Sequence, residues 1–455
     1  MRIRTQKQLY FKQQSEEFKK SDILVGISES LESLSNYGEI LDKVLSDLGS
    51  VKTKGKSGRT GMSAEQVLRA LIVKTLEEYS YRDLEHASND SISVRNFLKL
   101  NPFEKGFHYK TFQTNIKKLK EETIDLVNDS IKSFLLSEEI DDRSSIRTDA
   151  FATESNIHYP TDSNLMNDSI RVLSRMMTYT YEDIGVPIIF QNHYKASKKK
   201  SFNINNNKSA KKRKKWNMEL IRLTRKTLNY ARSSLAIMEN YNKCEDIKKH
   251  VVLQGLIADL KRYIPFVVKV IDQAHRRIVK EEKVPADEKL FSIFEDHTDI
   301  ISKGSRDIVF GHKSTITTGK SGLVLDVEVH KGNPADSKIV ESVINRHKDF
   351  YKKAPKNSVF DGCYSSTDNR EFAAKEGIKN VCFSKETEEE SSCGRKLRKM
   401  LRCFRAGIES TVSMLKRMFG LTRVMNKGLE SFKVAVKSGV MTYNLFMLSR
   451  MRLKT

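Results

Sequence analysis

The chain has 455 residues, 38% of them hydrophobic, so two or three domains with packed cores are expected at roughly 100–200 residues each. Lys and Arg outnumber Asp and Glu by 81 to 58, and the net charge of +23 favours a polyanion over an acidic small molecule or a membrane surface. The absence of any run of 18 apolar residues, and of an apolar core in the leading MRIRTQKQLYFKQQSEEFKK, argues against a membrane partner and a signal peptide.

An unexported, cytoplasmic protein is therefore expected. Cys244, Cys363, Cys382, Cys393 and Cys403 contain no C-x-x-C pair and read as reduced thiols rather than a disulfide framework or a zinc ribbon. The first predicted structure is an amphipathic stretch around Ile23–Leu48, followed by an exposed turn-forming tract at Lys52–Gly61. Ser63 and Gln66 have capping-box spacing, and Val67, Leu68, Leu71, Ile72 and Leu76 recur at helical intervals, so a helix starts there. A second is expected from Ser80. Short helices with breaks at Asn89–Ser91 and Asn101–Gly106 then lead to the basic helix HYKTFQTNIKKLK. Several short helices with one basic member resemble a helix-turn-helix reader, and residues 1–140 are expected to form a helical DNA-binding domain; the plainer alternative is a small helical domain with solvated charged faces.

Near Ser144 the pattern changes: SIRTDAFATE is β-prone and reads as a strand. Residues 163–285 read as a helical insertion, with a long helix marked by Val252, Leu256, Leu260, Tyr263, Val267, Ile271, Ala274 and Ile278, and with Pro265 placed to kink it. Upstream, His193–Trp216 carries ten Lys/Arg and no acid. So polar a block is predicted to be a mobile loop that grips phosphates without reading sequence, through Lys198, Lys199, Lys200, Lys211, Lys212, Arg213, Lys214 and Lys215; a nuclear-import signal is the competing reading of KKRKK.

From Lys289, LFSIFEDHTDII, DIVFGHKSTITT and GLVLDVEVH form three β-like runs, the last two joined as a hairpin at Gly319–Gly322. A helix over Asp336–Lys348, a short strand KNSVFD, a helix over Thr367–Glu376 and the strand VCFSK follow. An acidic stretch, Glu386–Glu390, precedes a basic helical C-terminal region. This order predicts an α/β fold, a mixed sheet flanked by helices.

Phosphodiester chemistry on two Mg²⁺ ions needs acidic oxygens converging from different elements. Asp149 sits mid-strand on the face of Phe151 and Thr153, with Glu154 on the opposite face. Asp361 closes KNSVFD before Gly362, at the strand end where open sheets place ligands. Beyond Gly394 there are fifteen Lys/Arg and two acids, Glu409 and Glu430; Glu409 shares a helical stripe with Arg405 and Lys416, which could hold DNA phosphates. A surface Arg–Glu pair is the bland alternative. Asp326, Glu328 and His330 line one strand face as a rival cluster, though a half-exposed strand explains them. His158 reads better as a turn-stabilising residue than as a proton carrier.

TDAFATESNIHYPTDSNL, SVFDGCYSS and FRAGIESTVSMLKRMFGLTR, with FGHKSTITTGKSGLVLDVEVHKGNPADS between the first two, resemble the DDE transposases of bacterial insertion sequences. The resemblance implies an RNase H-like catalytic domain over 144–162 and 286–455, interrupted after its first strand. It also implies that Asp149, Asp361 and Glu409 are catalytic and bind two Mg²⁺, with Mn²⁺ as a substitute. Arg405, Glu409 and Lys416 match the spacing of a Tyr-Arg-Glu-Lys signature, with Arg402 in place of the Tyr. The activity so implied is metal-dependent cleavage and strand transfer of double-stranded DNA at terminal inverted repeats, into target DNA, by a homodimer. An RNase H-like nuclease without strand transfer and a non-catalytic basic DNA-binding protein are the alternatives.

Overall fold

In the computed structural model, residues 3–5, 22–49, 61–101, 103–241, 246–303, 307–384 and 393–453 are described. The turn tract over 52–60, Cys244, Lys385 and the acidic stretch over 386–390 lie outside them. Among the described residues no helix is long and apolar enough to cross a membrane. The chain divides into two compact units, one of residues 1–156 with 301–455, the other of residues 157–300.

In the first unit, α1 (Asp22–Glu32) and α2 (Tyr37–Asp47) precede α3 (Ala64–Leu76). The start of α3 is set locally: Ser63 Oγ accepts from the Gln66 backbone N–H at 3.1 Å and Gln66 Oε1 accepts from the Ser63 N–H at 3.0 Å. Ser80 and Ser91 cap α4 (Tyr81–Asp90) and α5 (Ile92–Phe97) in turn, and α6 (Tyr109–Ile116) and α7 (Glu121–Ser137) complete the helical segment. Its apolar faces share one core with the C-terminal helix α15 (Leu429–Arg452): Ile27, Leu31, Ile72 and Ile131 pack in the same cluster as Tyr443, Leu445 and Leu448. The two ends of the chain are therefore one folded body.

The sheet is built around β1 (Ser145–Ser155). On one side β3 (Asp307–Thr318) pairs antiparallel with β1 and with β4 (Val324–Val329), its hairpin partner, and β2 (Asp299–Lys303) adds to β3. On the other side β5 (Asn357–Phe360) runs parallel to β1, and β6 (Asn380–Phe383) runs parallel to β5. A short β7 (Arg423–Val424) pairs with the end of β1. Of the run LFSIFEDHTDII, only its end is strand. Earlier in it the Ser292 hydroxyl accepts from the backbone N–H groups of Phe294 and Glu295, closing a turn where apolar content alone suggested β structure.

Beyond the paired Asn357 and Asn380 and the buried Ser358, β5 and β6 are apolar on both faces, as is common for buried parallel strands. Phe360, Val381 and Phe383 meet α12 (Val340–Tyr351) and α13 (Thr367–Lys375), while Val359 and Cys382 meet Leu401 of α14 (Arg395–Met418). The rival cluster on β4 is a structural ion-pair network. Arg346 of α12 bonds Asp326 at 2.8 Å and also Glu328, and His330 Nε2 lies 2.7 Å from Thr315 Oγ1.

The second unit contains α8 (Asp162–Tyr179), α9 (Tyr194–Asn206), α10 (Ala210–Glu239) and α11 (Ile247–Ile278). Helix α11 passes through Pro265 without ending, and in its first turns Leu253 and Ile257, rather than Val252 and Leu256, are the buried residues. The block His193–Trp216 is mostly helical, contrary to the loop expected of it: all its lysines but Lys208 lie on α9 and the start of α10, with a break at 207–209. A polar seam explains this. Ser197 donates to Asn167 (2.8 Å), and Ser163 and Asn164 of α8 bond Asn205 (3.1 and 3.2 Å), so α9 docks on α8 through these hydrogen bonds together with the buried Ile204. Lysine itself is a good helix former once one face is satisfied. His158 is tied to Asp168 of α8 at 3.2 Å.

Candidate active site

Side chains alternate across a strand, so Arg147, Asp149, Phe151 and Thr153 share one face of β1. Helix α14 and the segment after it cover that face. Arg147 Nη1 donates to the Phe404 carbonyl at 2.5 Å, Lys416 Nζ lies 5.9 Å from the Phe151 ring centre, and Thr153 Oγ1 donates to the Leu421 carbonyl at 3.1 Å. Gly407 leaves room where Arg147 crosses the helix: a methyl group there would meet Nη1 at 2.0 Å.

Register brings the second carboxylate to the same place. Arg147 pairs with Val359 on parallel β5, and two residues on along both strands stand Asp149 and Asp361. One strand over, Ser384 follows β6 and its hydroxyl donates to Asp361 Oδ1 at 2.6 Å while accepting from the Gly362 N–H at 2.9 Å. The chain leaves Asp361 through a 3₁₀ turn, Gly362–Tyr364. Glu409 reaches the site from α14.

One cation joins the three acids. Arg405 Nη2 lies 3.5 Å from Asp149 Oδ2 and 3.6 Å from Asp361 Oδ1, and its Nη1 lies 3.3 Å from Glu409 Oε1. The Arg405 side chain is 17% exposed, Asp149 and Asp361 are 22% and 31% exposed, and Glu409 is 65% exposed. The bland i,i+4 pair is thus present, but its arginine also faces two carboxylates from other elements. Among the described residues no three metal-ligating side chains are gathered tightly enough to hold an ion as they stand. The donors are nevertheless all hard carboxylate oxygens, the kind that Mg²⁺ and Mn²⁺ take, and they already surround a single positive group. The donor set fits a divalent ion; its present spacing is that of a guanidinium.

Two residues at this site had no motif to reveal them. Ser384 orients Asp361, and its only signal was its position at the end of the strand beside KNSVFD. Tyr364 is 1% exposed, its hydroxyl has no hydrogen-bond partner among the described residues, and burial together with the charges of Asp336, Asp149 and Asp361 pushes its pKa far above the usual phenol range.

The other cations expected to bind DNA lie elsewhere in the chain. Lys198 and Lys199 are exposed on α9, and Lys211, Lys212, Arg213 and Lys215 are exposed on α10. Lys200 pairs with Glu219, and Lys214 pairs with Glu281 at 2.6 Å.

Two family models match the chain. Residues 14–118 match a family described as "Transposase domain (DUF772)", and residues 287–445 match "Transposase DDE domain"; together they span more than half of the chain. The chain belongs to the DDE transposases of the insertion-sequence type. The DDE match contains Asp361 and Glu409 and begins after Asp149. No curated protein and no solved structure matches the chain. Membership of this transposase family implies an RNase H-like fold for the catalytic part, a polynucleotidyl-transferase type of enzyme that acts on DNA, and the family's general use of divalent metal ions.

Proposed function

We propose that this transposase cuts DNA at the terminal inverted repeats of its element and joins the freed ends to target DNA, with Asp149, Asp361 and Glu409 as its catalytic carboxylates. The observation that carries the reading is the meeting of three acids from β1, the end of β5 and α14 around one guanidinium. The sheet order β2-β3-β1-β5-β6, with β4 also paired to β3, β3 antiparallel to β1, and β5 and β6 running parallel to β1, supports an RNase H-like core. Residues 1–140 act as the DNA-reading part, 144–162 with 286–455 as the catalytic part, and 163–285 as an insertion.

Asp149, Asp361 and Glu409 would hold two Mg²⁺, or Mn²⁺ in their place. Bound there, such ions supply Lewis-acid charge at the phosphate and lower the pKa of an attacking hydroxyl. Ser384 holds the Asp361 carboxylate in orientation through its hydroxyl hydrogen bond, as donors to ligating carboxylates do. Arg405 balances the acids before metal enters and, once released from them, is a bidentate donor for a DNA phosphate. Lys416 and the exposed cations of α9 and α10 add salt-sensitive grip on the backbone. Two copies act together, one at each end.

Arg405 and a divalent ion compete for the same carboxylates. Arg405→Ala is accordingly expected to tighten Mn²⁺ binding in the absence of DNA by about tenfold, a fraction of the roughly 4 kcal/mol between unit charges near a protein surface. Calorimetric titration with Mn²⁺ reads this directly, and unchanged or weaker binding would show that the arginine is needed to hold the acids together.

The test of the function uses a DNA fragment ending in the repeats that flank the gene, with Mg²⁺ and a target plasmid. Joined products carrying the fragment's 3′ ends are expected. Hydrolysis alone would mean an RNase H-like nuclease, and binding without cleavage would mean a non-catalytic DNA-binding protein.

A further inference from the structure

The hydroxyl of Tyr364 is a polar group that the fold buries and leaves unused. The residue is 1% exposed, and its Oη has no hydrogen-bond partner among the described residues. Its ring belongs to the apolar cluster that α12 and α13 form with the sheet, 5.6 Å from the Phe360 ring centre and in the company of Ile339 and Val340. A phenylalanine would fill that place without stranding a hydroxyl, and buried polar groups seldom go without partners. Packing alone therefore gives no reason for a tyrosine here.

The backbone fixes where the hydroxyl is carried. Tyr364 closes the 3₁₀ turn that leaves Asp361, and its N–H donates to the Asp361 carbonyl at 3.1 Å. The side-chain amide of Asn369, itself buried, donates to the Tyr364 carbonyl and to the Ser337 carbonyl, each at 2.8 Å, which ties this turn to the one that starts at Asp336. Asp336 is paired with Lys313 of β3, whose ammonium also donates to the Pro334 carbonyl at 2.8 Å. Ala150, the neighbour of Asp149 on β1, packs against the same apolar cluster as the Tyr364 ring. The pairing of β1 with β5 ends at Arg147 and Val359, which leaves the sheet open between Asp149 and Asp361. Burial and the charges of Asp336, Asp149 and Asp361 keep the phenol protonated, and hence a donor.

Carboxylates that ligate a metal are as a rule hydrogen-bonded in turn. Asp361 has its hydroxyl donor in Ser384. Asp149 Oδ1 accepts the Ala150 N–H at 2.8 Å, while its Oδ2 faces Arg405 from the α14 side of the sheet. We propose that Tyr364 is a positioning residue for this site, its hydroxyl serving as the donor to Asp149 when a divalent ion displaces Arg405. The inference rests on the metal-binding reading above and adds a residue that touches neither the ion nor DNA. A hydroxyl that is unsatisfied without metal and satisfied with it raises metal affinity at the expense of the metal-free state.

Tyr364→Phe removes the hydroxyl alone. Calorimetric titration of the full-length chain with Mn²⁺, in the absence of DNA, should show binding about tenfold weaker in the variant. Urea unfolding without metal should show a stability equal to or above that of the unaltered chain, since no hydrogen bond is lost, and the gain in stability on adding Mn²⁺ should be smaller. In cleavage assays the Mg²⁺ concentration that gives half the maximal rate should rise by about the same factor, with the rate at saturating Mg²⁺ changed less. Unaltered Mn²⁺ affinity in the variant, or a loss of stability without metal, would overturn this inference alone, because the hydroxyl would then serve packing. Failure of the unaltered chain to bind Mn²⁺ would overturn the functional reading with it.

Discussion

Asp361→Asn is expected to lower metal-dependent strand cleavage by about 10³-fold or more, since charge stabilisation by bound metal is worth several kcal/mol and each 1.36 kcal/mol is tenfold. The amide keeps the size of the carboxylate and a contact to the Ser384 hydroxyl, so folding and DNA affinity should be nearly unchanged; losing one negative charge beside Arg405 favours DNA if anything. Asp149→Asn and Glu409→Gln should behave alike. Because the three act as one unit, a double variant should be little worse than either single one. Cleavage and DNA binding are measured on the same preparation. Retained cleavage in Asp361→Asn would sink the assignment, whereas joint loss of cleavage and binding would point to a folding defect and call for the Glu409→Gln variant on the helix side.

The second large effect concerns the helical layer. Arg69 of α3 is fully buried. It bonds Glu65 at 3.0 Å and Glu32 at 2.6 Å, donates to the Ser28 hydroxyl at 2.8 Å, and lies 5.1 Å from the Phe97 ring centre. Arg69→Met keeps most of the volume but strands the nearly buried Glu65 carboxylate, and removing one partner of a buried ion pair costs about 3–5 kcal/mol. Urea unfolding should show that loss, and adding Glu65→Gln should recover part of it. A loss below about 1 kcal/mol would show that water already reaches the pair.

The acid limb has a definite sign. Burial pushes the Glu32 carboxyl up, but hydrogen bonds from Lys99 and Ser28 and the charges of Arg69 and Lys99 outweigh it, so its pKa is held below the usual carboxylate value. A carboxyl depressed in the folded state contributes stability that is present above its unfolded pKa, about 4.3, and is lost as pH falls through the lower folded value. That part of the acid destabilisation should shrink in Arg69→Met.

Much of the architecture was legible in the sequence because it rests on short-range chemistry. The capping pair Ser63 and Gln66 and the serines before α4 and α5 set helix starts through hydrogen bonds three residues long. Period-two alternation marked β1 and assigned Asp149 to the face that α14 covers, and the break after KNSVFD marked the position of Asp361. The helical spacing of Arg405 and Glu409 was readable for the same reason.

What misled was content read without partners. The block around Lys198 and Lys211 looked too polar to pack, yet serine and asparagine side chains of α8 and α9 satisfy one another across 30 to 42 residues of chain, and no local hydropathy pattern encodes that exchange. The first turns of α11 bury Leu253 and Ile257 because the neighbouring helices choose the stripe, and a sequence with apolar residues at adjacent positions permits either. The same limit applies at the site. Ser384 acquires its role from β6 lying beside β5, and Arg405 from β1 and β5 sharing a register that sets two carboxylates before it.

By itself, then, the sequence determined the helices and strands whose ends are set locally, which acids sit at strand faces and ends, and where the positive charge lies, since each follows from contacts within a few residues; it did not determine the helices of 194–216 or the turn at Ser292. Only the tertiary structure decided that those acids converge on one arginine and that the serine following β6 aligns one of them. Such pairings join residues tens to hundreds of positions apart, and their free energy exists only once the strands are in register and the helices are docked.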